Sequence, residues 1–121
     1  MQNTTDQGNI GEEIASTFLE KNGFKIKARQ WHFGHLELDL VAEKDDEIVF
    51  VEVKLRRTDS YGEPWEAVSQ KKRKRIMQAA EAYIIQKDIE LKVRFDIISI
   101  ILLTGKKPEI THIEEAFYPM P

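Results

Sequence analysis

The chain has 121 residues, 41% hydrophobic and 32% charged, the size and make-up of one globular domain with its own core and not of a disordered chain. Its 18 Lys and Arg stand against 21 Asp and Glu, a net charge of -3, so nucleic-acid binding by bulk positive charge is excluded and any such binding must rest on where the charges lie. Cysteine is absent, which excludes disulfides and thiolate metal sites.

The polar start "MQNTTDQGN" lacks the apolar stretch of a signal peptide, and the longest apolar run, "IISIILL", is far short of a membrane span. The expected address is cytoplasmic, with no membrane contact. The first predicted element is a helix over 8–22, where Ile10, Ile14, Ala15, Phe18 and Leu19 recur at helical spacing, Asp6 can cap the start and Gly23 stops it. "FKIKARQWHF" follows as a short extended piece with rough alternation. "LELDLVA" alternates strictly, which predicts Leu36, Leu38 and Leu40 on one face and Glu37 and Asp39 on the other. The polar "EKDDE" is a turn, so the next strand, 47–55, is an antiparallel neighbour carrying Val49, Val51, Val53 and Leu55 on one face and Ile48, Phe50, Glu52 and Lys54 on the other.

After the loop "TDSYGEP", Pro64 suits the first turn of a helix whose stripe of Val68, Ile76, Ala79, Ala80, Tyr83 and Ile84 runs to about residue 87. "VRFDIISIILL" is a strongly apolar strand, and the helix before it makes a right-handed crossover that sets 93–103 parallel to 47–55. "GKKPE" turns the chain into "ITHIEEAF", a weaker final strand or tail. The expected domain is a single α/β unit of order α-β-β-β-α-β-β, a mixed sheet with helices on both faces.

Charges in the middle of the strand "FVEVKLRR" carry the chemistry. Glu52 and Lys54 share a face by their spacing, and the turn at 43–47 brings Asp39 alongside. Two carboxylates from adjacent strands with a lysine one pleat away suit a hard cation such as Mg²⁺, which takes one or two carboxylates and fills its other positions with water. A cation there activates water and polarises a phosphodiester, and the lysine holds that water or stabilises charge on the phosphate. An ordinary solvated ion pair is the common reason for Glu-x-Lys on a strand. Against it stand Asp39 and the interior place of the strand, where unpaired charges would cost several kcal/mol.

"GEEIASTFLEKNGFKI", "LELDLVAEKDDEIVFVEVKLRR", "YGEPWEAVSQKKRKRIMQAAEAYI" and "RFDIISI", in that order, resemble the YraN family of small bacterial proteins over about Gly8 to Phe117. The resemblance implies a restriction-endonuclease-like fold with a PD-(D/E)xK site, related to archaeal Holliday-junction resolvases, as one domain over 1–121 with its core at about 8–117. It implies that Asp39 and Glu52 bind the metal and that Lys54 is the catalytic lysine. Glu12 matches a helix glutamate lying near the metal in the resolvase-like branch; on its residue type alone it is a surface acid in a first helical turn. Glu37 matches the acid of the family's "GEID" stretch, although Leu36 replaces the glycine. The expected activity is that of a Mg²⁺- or Mn²⁺-dependent DNA endonuclease, with branched or structured DNA as the substrate by kinship and a homodimer as the form in which resolvase-like relatives cut two strands.

"KLRR" and "KKRKR" hold eight of the 18 basic residues. Arg56, Arg57, Lys71, Lys72, Arg73 and Arg75 are the expected phosphate-backbone contacts, a patch that grips a backbone and leaves bases unread; a solvated basic helix face is the plain alternative. Lys72 also occupies the family's helix-lysine position, within reach of a scissile phosphate. Tyr61 and Trp65 are suited equally to stacking on bases and to packing. His32, His35 and His112 have no metal-ligand spacing and are read as structural or surface residues. Two other functions compete: a nucleic-acid-binding module with a silent site, in which one of Asp39, Glu52 or Lys54 would be replaced, and a protein-interaction domain using "IISIILL" or the tail "AFYPMP".

Overall fold

The computed structural model describes residues 4–57 and 68–118, with side chains from Asn9 onward within those spans. Seven elements follow in the expected order: α1 (Thr4–Lys21), β1 (Lys25–Phe33), β2 (Leu36–Lys44), β3 (Glu47–Arg56), α2 (Gln70–Lys87), β4 (Lys92–Ile101) and β5 (Glu109–Phe117). Helix α1 starts before residue 8, so Asp6 lies inside it and not at its cap. Its end is the one Gly23 dictates. At φ 89° this glycine lets Phe24 N–H reach Leu19 O at 3.0 Å and its own N–H reach Glu20 O at 3.1 Å. Helix α2 is capped by Ser69, whose Oγ accepts from Lys72 N–H at 3.2 Å, so Val68, expected on its stripe, precedes the helix; Pro64 lies outside the described residues. No described helix is long and apolar enough to cross a membrane.

The five strands form one sheet in sequence order, with β1, β2 and β3 antiparallel in turn, β3 and β4 parallel, and β5 antiparallel to β4. The "EKDDE" turn closes the β2–β3 hairpin on two residues, Asp45 at φ 52° and Asp46 at φ 63°, the mirror-image geometry that matches strand twist. The α2 crossover puts β4 beside β3 as expected, and "ITHIEEAF" is a full edge strand. The helices cover opposite faces. Ala15 and Leu19 of α1 pack with Leu40, Val49, Val51, Ile98 and Ile100, whereas Ile76, Ala79, Ala80 and Tyr83 of α2 pack with Leu38, Val41, Phe50, Phe95 and Ile97.

The two faces of β3 are those the alternation predicts. Strand β2 departs from it: Leu36 and Leu38 lie on the α2 side and Leu40 on the α1 side, so the three leucines do not share a face. The alternation slips between Leu38 and Leu40, where the β2–β3 ladder ends at Leu40↔Val51 and Gln30 on β1, between the Arg29↔Leu40 and Trp31↔Leu38 pairs, sits at φ 46°.

Asp96, fully buried on β4, ties the far end of the sheet together. Arg94 Nε and Nη2 each donate to it at 2.9 Å, His112 Nε2 lies 2.7 Å away, and Glu115 N–H donates at 3.0 Å. Arg94 reaches on to Glu47 at 3.2 Å. His112 is therefore structural, and His32 and His35 are exposed. Burial works against the Asp96 charge, but the bonds from His112, Arg94 and the Glu115 N–H outweigh it and hold its pKa below the ordinary 3.8. A depressed carboxylate pKa contributes stability that is full above the unfolded value and lost as pH falls through the folded one. Asp96→Asn should destabilise the fold by about 3 kcal/mol at pH 7 in denaturant unfolding, with the gap to wild type closing as pH falls from the ordinary 3.8 through the depressed folded value.

Candidate metal-dependent active site

Where β2 leaves β3, the Val53 N–H faces a side chain: Asp39 Oδ2 accepts it at 2.9 Å. This bond fixes Asp39 at the parting of the strands and brings its carboxylate near enough to Glu52 on β3 for the two charges to repel. Glu52 is only 5% exposed. Its Oε2 is 3.0 Å from Lys72 Nζ of α2 and 3.9 Å from Lys54 Nζ, two residues along its own strand. The stripe of Lys72, Ile76, Ala79 and Tyr83 explains Lys72. Its apolar members are buried, so the helix face that packs on the sheet carries the lysine to the site at its N-terminal end.

Glu12 arrives from the other face of the sheet. Gly11 lets α1 settle against β3, since a Cβ there would meet Leu55 Cβ and Val53 Cγ1 at 3.4 Å. The neighbouring Glu12 is thereby only 6% exposed, not the surface acid its position in the chain implies. Gln30 Nε2 donates to Glu12 Oε2 at 3.3 Å and to Asn9 Oδ1 at 2.8 Å, from a backbone held at φ 46°. Gln30 was not visible as a site residue in the sequence. It sits in the register of β1 opposite Asp39, and a polar residue between Arg29 and Trp31 is an unremarkable strand letter.

Electrostatics marks the cluster as short of positive charge. Burial, then the charge of Asp39, raises the Glu12 pKa to about 7, with Glu37 adding and Gln30 and Arg29 offsetting. Asp39 is likewise raised to about 7, by burial first and then by Glu52, against the Val53 N–H and Lys72. Burial disfavours the Lys72 charge, yet Glu52, Asp39 and Glu37 outweigh it and push its pKa above the usual lysine value. Glu37 itself is exposed and acts on Glu12 and Lys72 only through its charge.

The donors are hard carboxylate oxygens, which suits Mg²⁺ or Mn²⁺ in preference to a softer ion. No group of three or more His, Cys, Asp or Glu among the described residues is set to hold a metal ion. The pair Asp39 and Glu52 fits the sparser arrangement of magnesium sites, in which one or two protein carboxylates leave the other positions to water and phosphate oxygens.

The basic residues divide. Lys71, Lys74 and Arg75 on α2 and Arg57 after β3 are exposed. Arg73 is half-buried, its Nε donating to Val68 O at 3.1 Å and its guanidinium lying 5.3 Å from the centre of the Phe117 ring, so it packs the helix to the sheet. Arg56 is half-buried on β3. Tyr61 and Trp65 lie outside the described residues.

A carboxylate with a raised pKa costs stability as pH rises from its unfolded to its folded value. Asp39→Asn keeps an acceptor for the Val53 N–H and removes that cost. In metal-free protein it should raise stability by about 1–2 kcal/mol at pH 8, by less at pH 5 and by almost nothing at pH 3, measured by thermal unfolding at the three pH values.

The family model described as "Uncharacterised protein family UPF0102" matches residues 11–100, a span that includes Glu12, Asp39, Glu52, Lys54 and Lys72. The chain is 45% identical over 119 residues to a UPF0102 protein of Bacteroides thetaiotaomicron, covering 98% of each chain. It is 45% identical over 114 residues to one of Phocaeicola vulgatus, covering 93% of this chain and 92% of the relative. A Myxococcus xanthus relative is 41% identical over 113 residues, covering 93% and 89%. With the family's pattern matched from α1 into β4 and relatives this similar along nearly their whole length, the chain belongs to the UPF0102 (YraN) family.

Proposed function

We propose that this protein is a divalent-cation-dependent nuclease that hydrolyses phosphodiester bonds in DNA. The observation that supports it most is the meeting of Asp39 and Glu52, two inward carboxylates from adjacent strands, with the ammonium groups of Lys54 and Lys72 on the same acid. Beyond the bond from the Val53 N–H to Asp39, such a cluster adds nothing to packing. Raising the Asp39 and Glu12 carboxyls toward neutrality costs stability, and an arrangement of this kind persists where it serves a site.

Asp39 and Glu52 would hold Mg²⁺ or Mn²⁺, with water and phosphate oxygens in the other positions and Glu12 acting on the site through its charge on Asp39. Bound there, the cation supplies Lewis acidity toward the phosphate and lowers the pKa of a water. Lys54 orients the attacking water and stabilises charge growing on the phosphate oxygens. Lys71, Lys74 and Arg75 extend the positive end of α2, where no acid stands in the first turn, and would grip the backbone beside the scissile bond. Branched or structured DNA is the proposed substrate, on the resemblance to resolvases, and a homodimer is the form that would cut both strands of a junction.

The test is a cleavage assay on duplex, single-stranded, flapped and four-way DNA, with RNA alongside, in Mg²⁺ and in Mn²⁺. Asp39→Asn and Glu52→Gln should each lower the rate at least about 1,000-fold while leaving metal-free DNA binding in place. Lys54→Ala should lower kcat and kcat/KM equally, since it acts in the transition state. Wild-type protein that binds DNA as the acid variants do and cuts no substrate would identify a binding module with a silent site.

The basic residues make a separate prediction. The triple substitution of Lys71, Lys74 and Arg75 by Ala should make the slope of log affinity against log salt shallower by about 2–3, measured by fluorescence anisotropy on duplex DNA. An unchanged slope would place that face of α2 away from the nucleic acid.

A further inference from the structure

Glu52 is already paired with a cation that belongs to the protein. The Lys72 ammonium lies 3.0 Å from Glu52 Oε2, closer than the 3.9 Å of Lys54. Its position is built in. Ser69 caps the turn from which it projects, and the buried stripe below it holds that turn against the sheet. The side chain is nevertheless 46% exposed while Glu52 is 5% exposed, so the ammonium stands at the mouth of the site with its partner inside. A divalent ion on Asp39 and Glu52 would need the carboxylate oxygen that this ammonium holds, and the two positive charges would repel across a contact distance.

Resting on the metal-dependent reading above, we infer that Lys72 is the resident counter-cation of Glu52 and must give up that carboxylate when a divalent cation enters. Its flexible stem allows this. A lysine at a helix end can swing outward through solvent, whereas Lys54 shares the strand with Glu52 and stays beside it. Lys71, Lys74 and Arg75, exposed on the same turns of α2, are where the backbone of a nucleic acid would sit on the reading above. A phosphate there offers the displaced ammonium a new partner. Loading the cation and gripping the phosphate then belong to one exchange, and without nucleic acid the cation is held weakly. Asp39 and Glu37 also face Lys72 and add to its hold on the closed arrangement.

The experiment is calorimetric titration of Mn²⁺ into the metal-free full chain, without DNA, for wild type, Lys72→Gln, Lys72→Arg, Lys54→Gln and Asp39→Asn. Thermal unfolding of each sample establishes that it is folded. Lys72→Gln should bind Mn²⁺ about tenfold more tightly than wild type, Lys72→Arg should behave as wild type because the positive charge is retained, and Lys54→Gln should gain less than Lys72→Gln. Equal or weaker binding by Lys72→Gln, with Asp39→Asn abolishing binding, overturns the exchange and leaves the metal-dependent reading intact. Absence of Mn²⁺ binding in both wild type and Lys72→Gln at millimolar concentration overturns the two together.

Discussion

Where β2 parts from β3, a backbone N–H of an interior strand loses its ladder acceptor, and an unpaired buried N–H costs about 1–3 kcal/mol. Asp39 meets that demand at 2.9 Å through its side chain. One bond therefore holds the sheet together at its opening and fixes a carboxylate beside Glu52. The opening also explains how residues from both faces meet. Glu12 rides on α1 and Lys72 on α2, helices on opposite sides of the sheet, yet both interact electrostatically with Asp39. A closed ladder from Lys44 to Leu36 would have kept them apart.

Two places in the sheet handle charge in opposite ways. Between β4 and β5, Asp96 is saturated by Arg94, His112 and the Glu115 N–H, and its charge is favoured despite complete burial. At the opening, Asp39 feels the charge of Glu52 and acts on Glu12, and both Asp39 and Glu12 are pushed toward protonation near neutral pH. Buried ions with satisfied partners act as structural fixings. Clustered acids with raised pKa values are the pattern of functional sites, and the contrast within one small sheet sharpens it.

The packing that positions the site is aromatic and local to α2. Trp31, Tyr83, Phe50, Phe95 and Phe117 form a run of ring contacts with centroids 5.1–5.9 Å apart from β1 across to β5. Arg73 closes that run by lying over Phe117. The basic segment thus has a packed member and exposed members, and its letters alone do not distinguish them: "KKRKR" presents five cations at every angle of a helix, and only the docking of Ile76 and Tyr83 decides which point inward.

Alternation and helical period made the elements, their order and the two faces of β3 readable from the chain, because each depends on the spacing of neighbouring residues. The same spacing put Glu52 and Lys54 together, and the short "EKDDE" turn made Asp39 their neighbour. Tertiary structure decided the rest. It placed Leu38 and Leu40 on opposite faces, turned Glu12 from a surface acid into a buried one supported by Gln30, assigned Lys72 to Glu52 and Arg73 to packing, and gathered Arg94, Asp96 and His112 into one network. Each of these depends on where a ladder ends or how a helix is rotated on the sheet. Those are set by contacts between segments distant in the chain, which no local pattern of residues records.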